Sequence, residues 1–222
     1  MRIESAHEGP AVVRIRRLAF GTRDDTIWLV MSEKDDIESS AERIWTEDSI
    51  RQEFEGTLHE RVERYLQVKP INIIPNAPFA PVSSECAKLF RDGYSYACIS
   101  LAQAVAEGIV RYVLAKNSCE GEKVFEKGVD KLHKRKFISD EVKEALLKIW
   151  ENRDDYHHLN DTVESDRQKL EELAREKAHA LNDVESYVFG YSIRDDGALV
   201  PYYPKYWDIS GSEGNVFLRF DV

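Results

Sequence analysis

The sequence predicts a mainly helical chain of α+β class: a helical bundle carrying a small β-sheet built from the N- and C-terminal segments. Apolar residues recur at helical spacing through most of residues 83–190. Both ends of the chain instead show short alternating runs of strand character. Between the N-terminal segment and the bundle, four of the seven prolines fall at Pro70, Pro75, Pro78 and Pro81. Proline disfavours helix in the residue before it and cannot donate to a ladder, so this stretch reads as an extended connector. Four regions follow: a β/α segment over 1–68, the connector over 69–82, the bundle over 83–190 and a β appendage over 191–222.

In the first region, Ala11, Val13 and Ile15 alternate with Arg14 and Arg16, and Thr26–Met31 forms a second apolar run. From about Ile37 to Gln67 the pattern is helical, with Ile44, Phe54, Leu58, Val62, Tyr65 and Leu66 as the apolar stripe. In the connector, Ile71, Ile73, Ile74 and Phe79 suit a segment packed on a surface. Beyond it, Ser83 or Ser84 is placed to cap a helix containing Cys86, Leu89 and Phe90, with Gly93 placed to end or kink it. Tyr94–Lys116 is apolar on most sides and should be the central helix. Glu122–Lys136 follows and ends in Lys134-Arg135-Lys136.

The next helix opens at Ser139, which suits a cap, with Asp140 and Glu141 at the positive end of the helix dipole. A long helix from about Ser165 to Phe189 closes the bundle. The C-terminal appendage has a hairpin signal, Asp195-Asp196-Gly197, between Tyr191–Arg194 and Ala198–Val200. A final strand is read at Val216–Val222. Tyr202, Tyr203, Tyr206 and Trp207 stand beside Pro201 and Pro204, suited either to stacking on bases or to plugging a packed loop.

Composition bounds the function. Apolar residues at 42% exclude disorder throughout. A net charge of −10 excludes broad, tight, non-specific binding of nucleic acid, although a local basic groove is compatible with it. The N-terminal residues lack the apolar run of a secretory signal, and no membrane span is expected. Cys86, Cys98 and Cys119 have no Cys-x-x-Cys spacing and read as buried thiols of a reducing compartment, so the expected location is cytoplasmic.

Chemistry concentrates at Arg153-Asp154-Asp155-Tyr156-His157-His158, directly after the apolar face of the Ser139 helix. Arg153 is a permanent cation, and His158 can exchange a proton near neutral pH. That pair suits phosphodiester chemistry, in which a base takes the ribose 2′-hydroxyl proton and a cation holds charge on the phosphate. On a straight helix the two positions lie roughly 140° apart. The helix must therefore end or bend near Tyr156, or another chain must complete the site.

The Arg, four residues, His spacing, with polar Asp154 after the arginine, resembles the motif of HEPN domains, which allows four to six intervening residues. The order of helices over about 83–190 resembles that of the family as well. This resemblance implies a helical bundle that dimerises so that two motifs share one cleft. It also implies metal-independent RNA cleavage leaving a cyclic phosphate, in toxin–antitoxin or phage-defence settings, with an antitoxin or defence protein as partner. Carried over, Arg153 holds the phosphate, His158 is the acid/base group and Asp154 orients the site. His157, Tyr156 and Glu107 are supporting residues: His157 lies outside the family pattern and could take either role in place of its neighbour, and Glu107 is a partner for Arg153. Lys131, Lys134, Arg135 and Lys136 offer a basic patch for RNA.

Two other readings stand beside the ribonuclease. Many HEPN-like modules are inert parts for dimerisation or interaction, and here Arg153 would pair with Asp155 or Glu107 simply to fix the bundle. In the other, Asp154 and His158, at i and i+4, bind a divalent ion. Further ligands for it are wanting, since Asp161, Glu164, Asp166 and His179 are scattered. No cofactor and no metal site are assigned.

Overall fold

The computed structural model describes residues 34–207, 209–210, 213–214 and 216–219, and the expected strands at Ala11–Leu18 and Thr26–Met31 lie outside them. The chain divides between Leu58 and His59 into two units. In the first, helix α1 spans Lys34–Gly56. Its Ile44, Trp45, Ile50 and Phe54 are exposed.

The second unit is the bundle, with β structure at its edges. Helix α2 (Leu58–Val68) leads through the connector strand β1 (Ile73–Pro75) to α3 (Phe79–Arg91) and α4 (Ser95–Lys116). Helices α5 (Phe125–Lys134), α6 (Asp140–Trp150), α7 (Arg153–His158) and α8 (Arg167–Val188) complete it. Short strands follow: β2 (Tyr191–Ile193), β3 (Leu199–Pro201), β4 (Ile209–Ser210), β5 (Glu213–Gly214) and β6 (Val216–Leu218). The mainly helical α+β architecture is therefore as the sequence predicts.

Helix α4 is the central element and packs against α3, α5, α6, α7 and α8. Ile99, Ala102, Ala106, Ile109 and Val113 on it are buried against Leu146 and Ile149 of α6 and Ala174 and Val184 of α8. Each large side chain so buried contributes roughly 1.5–3 kcal/mol. By length and composition Ser95–Lys116 could also cross a bilayer, alone among the described helices. With 56% of its apolar window buried inside the bundle, it has the character of a core helix.

Several boundaries differ from the sequence reading, each for a local reason. Helix α3 starts at Phe79, and Ser83 and Ser84 lie buried inside it instead of capping it. Pro81 fits in the first turn because its missing N–H would have no helical partner there. The end of α3 follows expectation: Gly93 sits at φ +83°, and Tyr94 donates back to the Leu89 carbonyl at 2.9 Å. The face that α2 turns to the bundle is not its apolar stripe. Val62 and Leu66 are exposed, while Arg61 reaches Asp92 at 3.2 Å and Arg64 reaches Glu171 at 2.8 Å.

Among the described residues the β elements are three antiparallel pairs: β1 with β6, β2 with β3, and β4 with β5. Within the first, Ile73 faces Leu218 and Pro75 faces Val216, so the final strand pairs with the connector. Behind it, Arg219 is buried and its guanidinium donates to both oxygens of Glu185 at 2.9 Å, to Ser83 Oγ at 2.7 Å and to the Ile71 carbonyl at 3.2 Å. The hairpin β2–β3 turns at Gly197, φ +83°, as Asp-Asp-Gly predicts. The aromatic tail is largely a plug: Tyr206 and Trp207 are buried, Tyr112 donates to the Tyr206 carbonyl at 2.6 Å, and only Tyr202 stands well exposed. Cys86 and Cys98 are buried free thiols, whereas Cys119 is only half-buried.

Candidate functional site

The site begins where α6 stops. Ser139 caps that helix, accepting from the Val142 N–H, and the apolar face runs to Ile149. Glu151 is extended, and Asn152 takes the left-handed conformation at φ 58°, ψ 26°, which asparagine tolerates better than most residues. The chain restarts as α7, six residues long, and Leu159, again left-handed at φ 52°, closes it. All of Arg153, Asp154, Tyr156, His157 and His158 therefore lie on one short helix.

Tyr156 is its anchor. It is buried, with its ring 6.1 Å from that of Tyr96, whose hydroxyl donates to the Glu164 carbonyl at 2.9 Å. His157 and His158, which follow the anchor, are exposed, whereas Arg153, three residues before it, is half-buried. The Arg153 guanidinium lies 4.8 Å from the centre of the Trp150 ring, and Trp150 stacks on Phe125 at 4.0 Å. Its Nη1 donates to Asp154 at 3.3 Å. Asp155 faces the other way and accepts from Thr162 and Asn160, which hold its carboxyl below the usual carboxylate range. An open cleft of about 530 Å³ adjoins Arg153, with Trp150, Lys148, Glu126, Glu151 and Asp154 among its lining.

His157 is held below the ordinary histidine range, first by partial shielding of its ring from water and then by the nearby charges of Arg153 and His158. It is therefore mostly neutral at pH 7 and able to accept a proton. Replacing Arg153 with alanine should raise the His157 titration midpoint, read from the ring proton shifts in an NMR pH titration. A midpoint unmoved by that change would contradict the assignment of Arg153 as one of its causes.

Other residues singled out in the sequence fall differently. The break in the helix comes at Asn152, before Arg153, and not near Tyr156. Positions 153 and 158 thus keep their separation of roughly 140° around one helix, and a single copy does not aim both at one point. Glu107 pairs with Arg111 one turn along α4, not with Arg153, because a neighbour at i+4 is reached at little entropic cost. It still lies close enough to favour protonation of His157. Lys131 is tied to Glu122 at 2.7 Å and to the Glu120 carbonyl at 2.9 Å. Lys134, Arg135 and Lys136 are exposed. Among the described residues no group of three His, Cys, Asp or Glu side chains gathers as a metal site requires, which leaves Asp154 and His158 without further ligands.

Two residues were missed from sequence. Lys205, from the C-terminal loop, lies 4.7 Å from the Phe137 ring centre and donates to Asn117 at 2.6 Å, which places it beside the Lys134–Lys136 turn. No spacing rule connects positions so far apart. Lys177 of α8 reaches under the end of α6, and a lone lysine on an otherwise apolar helical face was the available signal. Compared with protein-family models, curated proteins and solved structures, the chain matches none.

Proposed function

We propose that this chain is a metal-independent endoribonuclease of the HEPN type, acting as a cytoplasmic homodimer. The observation that carries the reading is α7 itself: a six-residue helix with Tyr156 turned inward, His157 and His158 exposed, and Arg153 half-buried against Trp150 at the edge of an open cleft. The guanidinium is stacked on Trp150 but, among the described residues, hydrogen-bonds only to the exposed Asp154, so it is available to a ligand and not consumed by the core. Since one copy points Arg153 and His158 in different directions, two copies are needed to bring a guanidinium and an imidazole to one phosphate.

In that arrangement His158 takes the 2′-hydroxyl proton and the freed oxygen attacks the adjacent phosphorus. The bond to the 5′-oxygen breaks, and that oxygen leaves with a proton supplied by the partner copy's imidazole in its protonated form. Arg153 holds the charge that builds on the phosphate oxygens, and Asp154 restrains Arg153. His157, mostly neutral at pH 7, is the second candidate for the base. Products are a 2′,3′-cyclic phosphate and a 5′-hydroxyl. The exposed Lys134, Arg135, Lys136 and Lys205 give the RNA backbone a local track on a chain that is otherwise acidic. A toxin–antitoxin or phage-defence setting fits such an activity.

One observation favours the inert interaction module: Glu126, Glu151 and Asp154 line the cleft beside Arg153 and repel a phosphate. The two readings part in a single experiment. Single-stranded RNA incubated with the purified chain in EDTA should be cut to fragments ending in cyclic phosphate, and sedimentation should give twice the chain mass. Intact RNA at high protein concentration, or a monomer throughout, would reject the nuclease.

A further inference from the structure

Lys177 is fully buried in α8, yet among the described residues no carboxylate bonds its ammonium. Its three hydrogens go instead to three main-chain carbonyls at the end of α6: Lys148 at 3.1 Å, Ile149 at 2.9 Å and Glu151 at 2.8 Å. Carbonyls at a helix C-terminus have no helical partner and carry the negative end of the dipole, so a cation there satisfies both needs. Gln103 of α4, also buried, adds a fourth bond, from Nε2 to the Glu151 carbonyl at 3.3 Å. The residue so gripped from two helices directly precedes Asn152, whose left-handed turn launches Arg153.

We propose that Lys177 is a positioning residue for α7: by tying off the last carbonyls of α6, its ammonium fixes the break from which the Arg153–His158 helix departs. The effect on cleavage rests on the ribonuclease reading, but the effect on the backbone does not.

The proposal has a consequence in pH. A neutral amine has two hydrogens for three carbonyls, and its lone pair faces the third. Losing the proton therefore releases one carbonyl and loosens the Ile149–Asn152 turn. Burial pushes Lys177 down to about 8. The charged groups facing it are Glu151, beyond the end of α6, Glu176 on α8 and Lys148 on α6; the first two favour its protonation and the third opposes it. The loosening is not unfolding. Between pH about 8 and the ordinary lysine value of 10.5 the folded chain holds fewer protons here than the unfolded chain, so the penalty of burying this charge is relieved and stability rises with pH across that window.

The test follows the backbone amides of Glu151–Arg153 and the Trp150 indole by NMR from pH 6.5 to 9.5. In the wild-type chain these signals should move together with a midpoint close to that of the Lys177 side chain. Lys177→Arg keeps a charge that does not titrate, and its signals should stay flat. Lys177→Met should show the alkaline positions already at pH 7. If the chain cuts RNA, Lys177→Met should lose up to about 10²-fold in rate through misplacement of Arg153, and Lys177→Arg should restore it. A Lys177→Met chain whose Glu151–Arg153 amides keep their wild-type positions at pH 7 overturns the proposal, as do wild-type amides that stay flat while the Lys177 side chain itself titrates, and a Lys177→Arg chain that titrates like wild type. Should the arginine variant fail to fold, the wild-type titration still decides, because it needs no substitution.

Discussion

Replacing Glu185 with alanine should cost about 3–5 kcal/mol of folding stability, read as a drop in the urea midpoint. The expected size follows from what remains. Arg219 and Glu185 have side chains 1% and 2% exposed, so removing the carboxylate strands a guanidinium out of reach of water. Among the described residues Arg219 Nε is already buried without a partner, and the variant would leave the ion with only Ser83 Oγ and the Ile71 carbonyl there. A native domain is stable by only about 5–15 kcal/mol, so much of that margin disappears. Replacing both partners by apolar residues, Glu185→Leu with Arg219→Met, should recover most of the loss, since neither charge is then left alone. If the single variant matches wild type, this pair does not hold the C-terminal strand to the bundle.

Replacing Arg153 with alanine should lower RNA cleavage by roughly 10²–10³-fold with little change in stability. The side chain is 33% exposed and its hydrogen bond goes to the exposed Asp154, so folding leans on it weakly. The transition state leans on it more, because charge on the phosphate oxygens grows as the new bond forms. Arg153→Lys should fall between: the charge remains, but the planar group that lies over Trp150 and can grip two oxygens at once is lost. Single-turnover cleavage measures both variants. An alanine variant that cuts at the wild-type rate, with an unchanged urea midpoint, would remove Arg153 from the mechanism.

How much of this was legible in the sequence depends on the range of each interaction. Ser139, Gly93 and the Asp-Asp-Gly turn act within four residues, and each does in the structure what its type predicts. The central helix was legible because α4 is apolar on several sides at once. The starting point of α3 was not, because the serines at 83 and 84 look like caps until Ser83 is seen bonded to Glu185 at 2.5 Å, 102 residues away. The docking of α2 was misjudged for a related reason. Its arginines resemble a solvated face, and only the fold supplies Asp92 and Glu171 to receive them.

At the candidate site the cluster itself could be read from six consecutive letters, but not its orientation. Asn152 adopts its left-handed turn in a setting built by Lys177 and Gln103, from helices distant in sequence. The pairing of Glu107 with Arg153 failed because Arg111 stands one turn away on the same helix.

Glu185 and Arg219 also set an order of events in synthesis. The carboxylate leaves the ribosome 34 residues before its cation. At about 5–20 residues per second, that interval is on the order of seconds. Before the cation arrives, packing α8 against α3 would dehydrate a lone anion beside Ser83, which disfavours closing that seam first. The joint closes once the later segment threads beside the connector and delivers its guanidinium, which makes a far downstream residue the gate on completion of the hydrophobic interior.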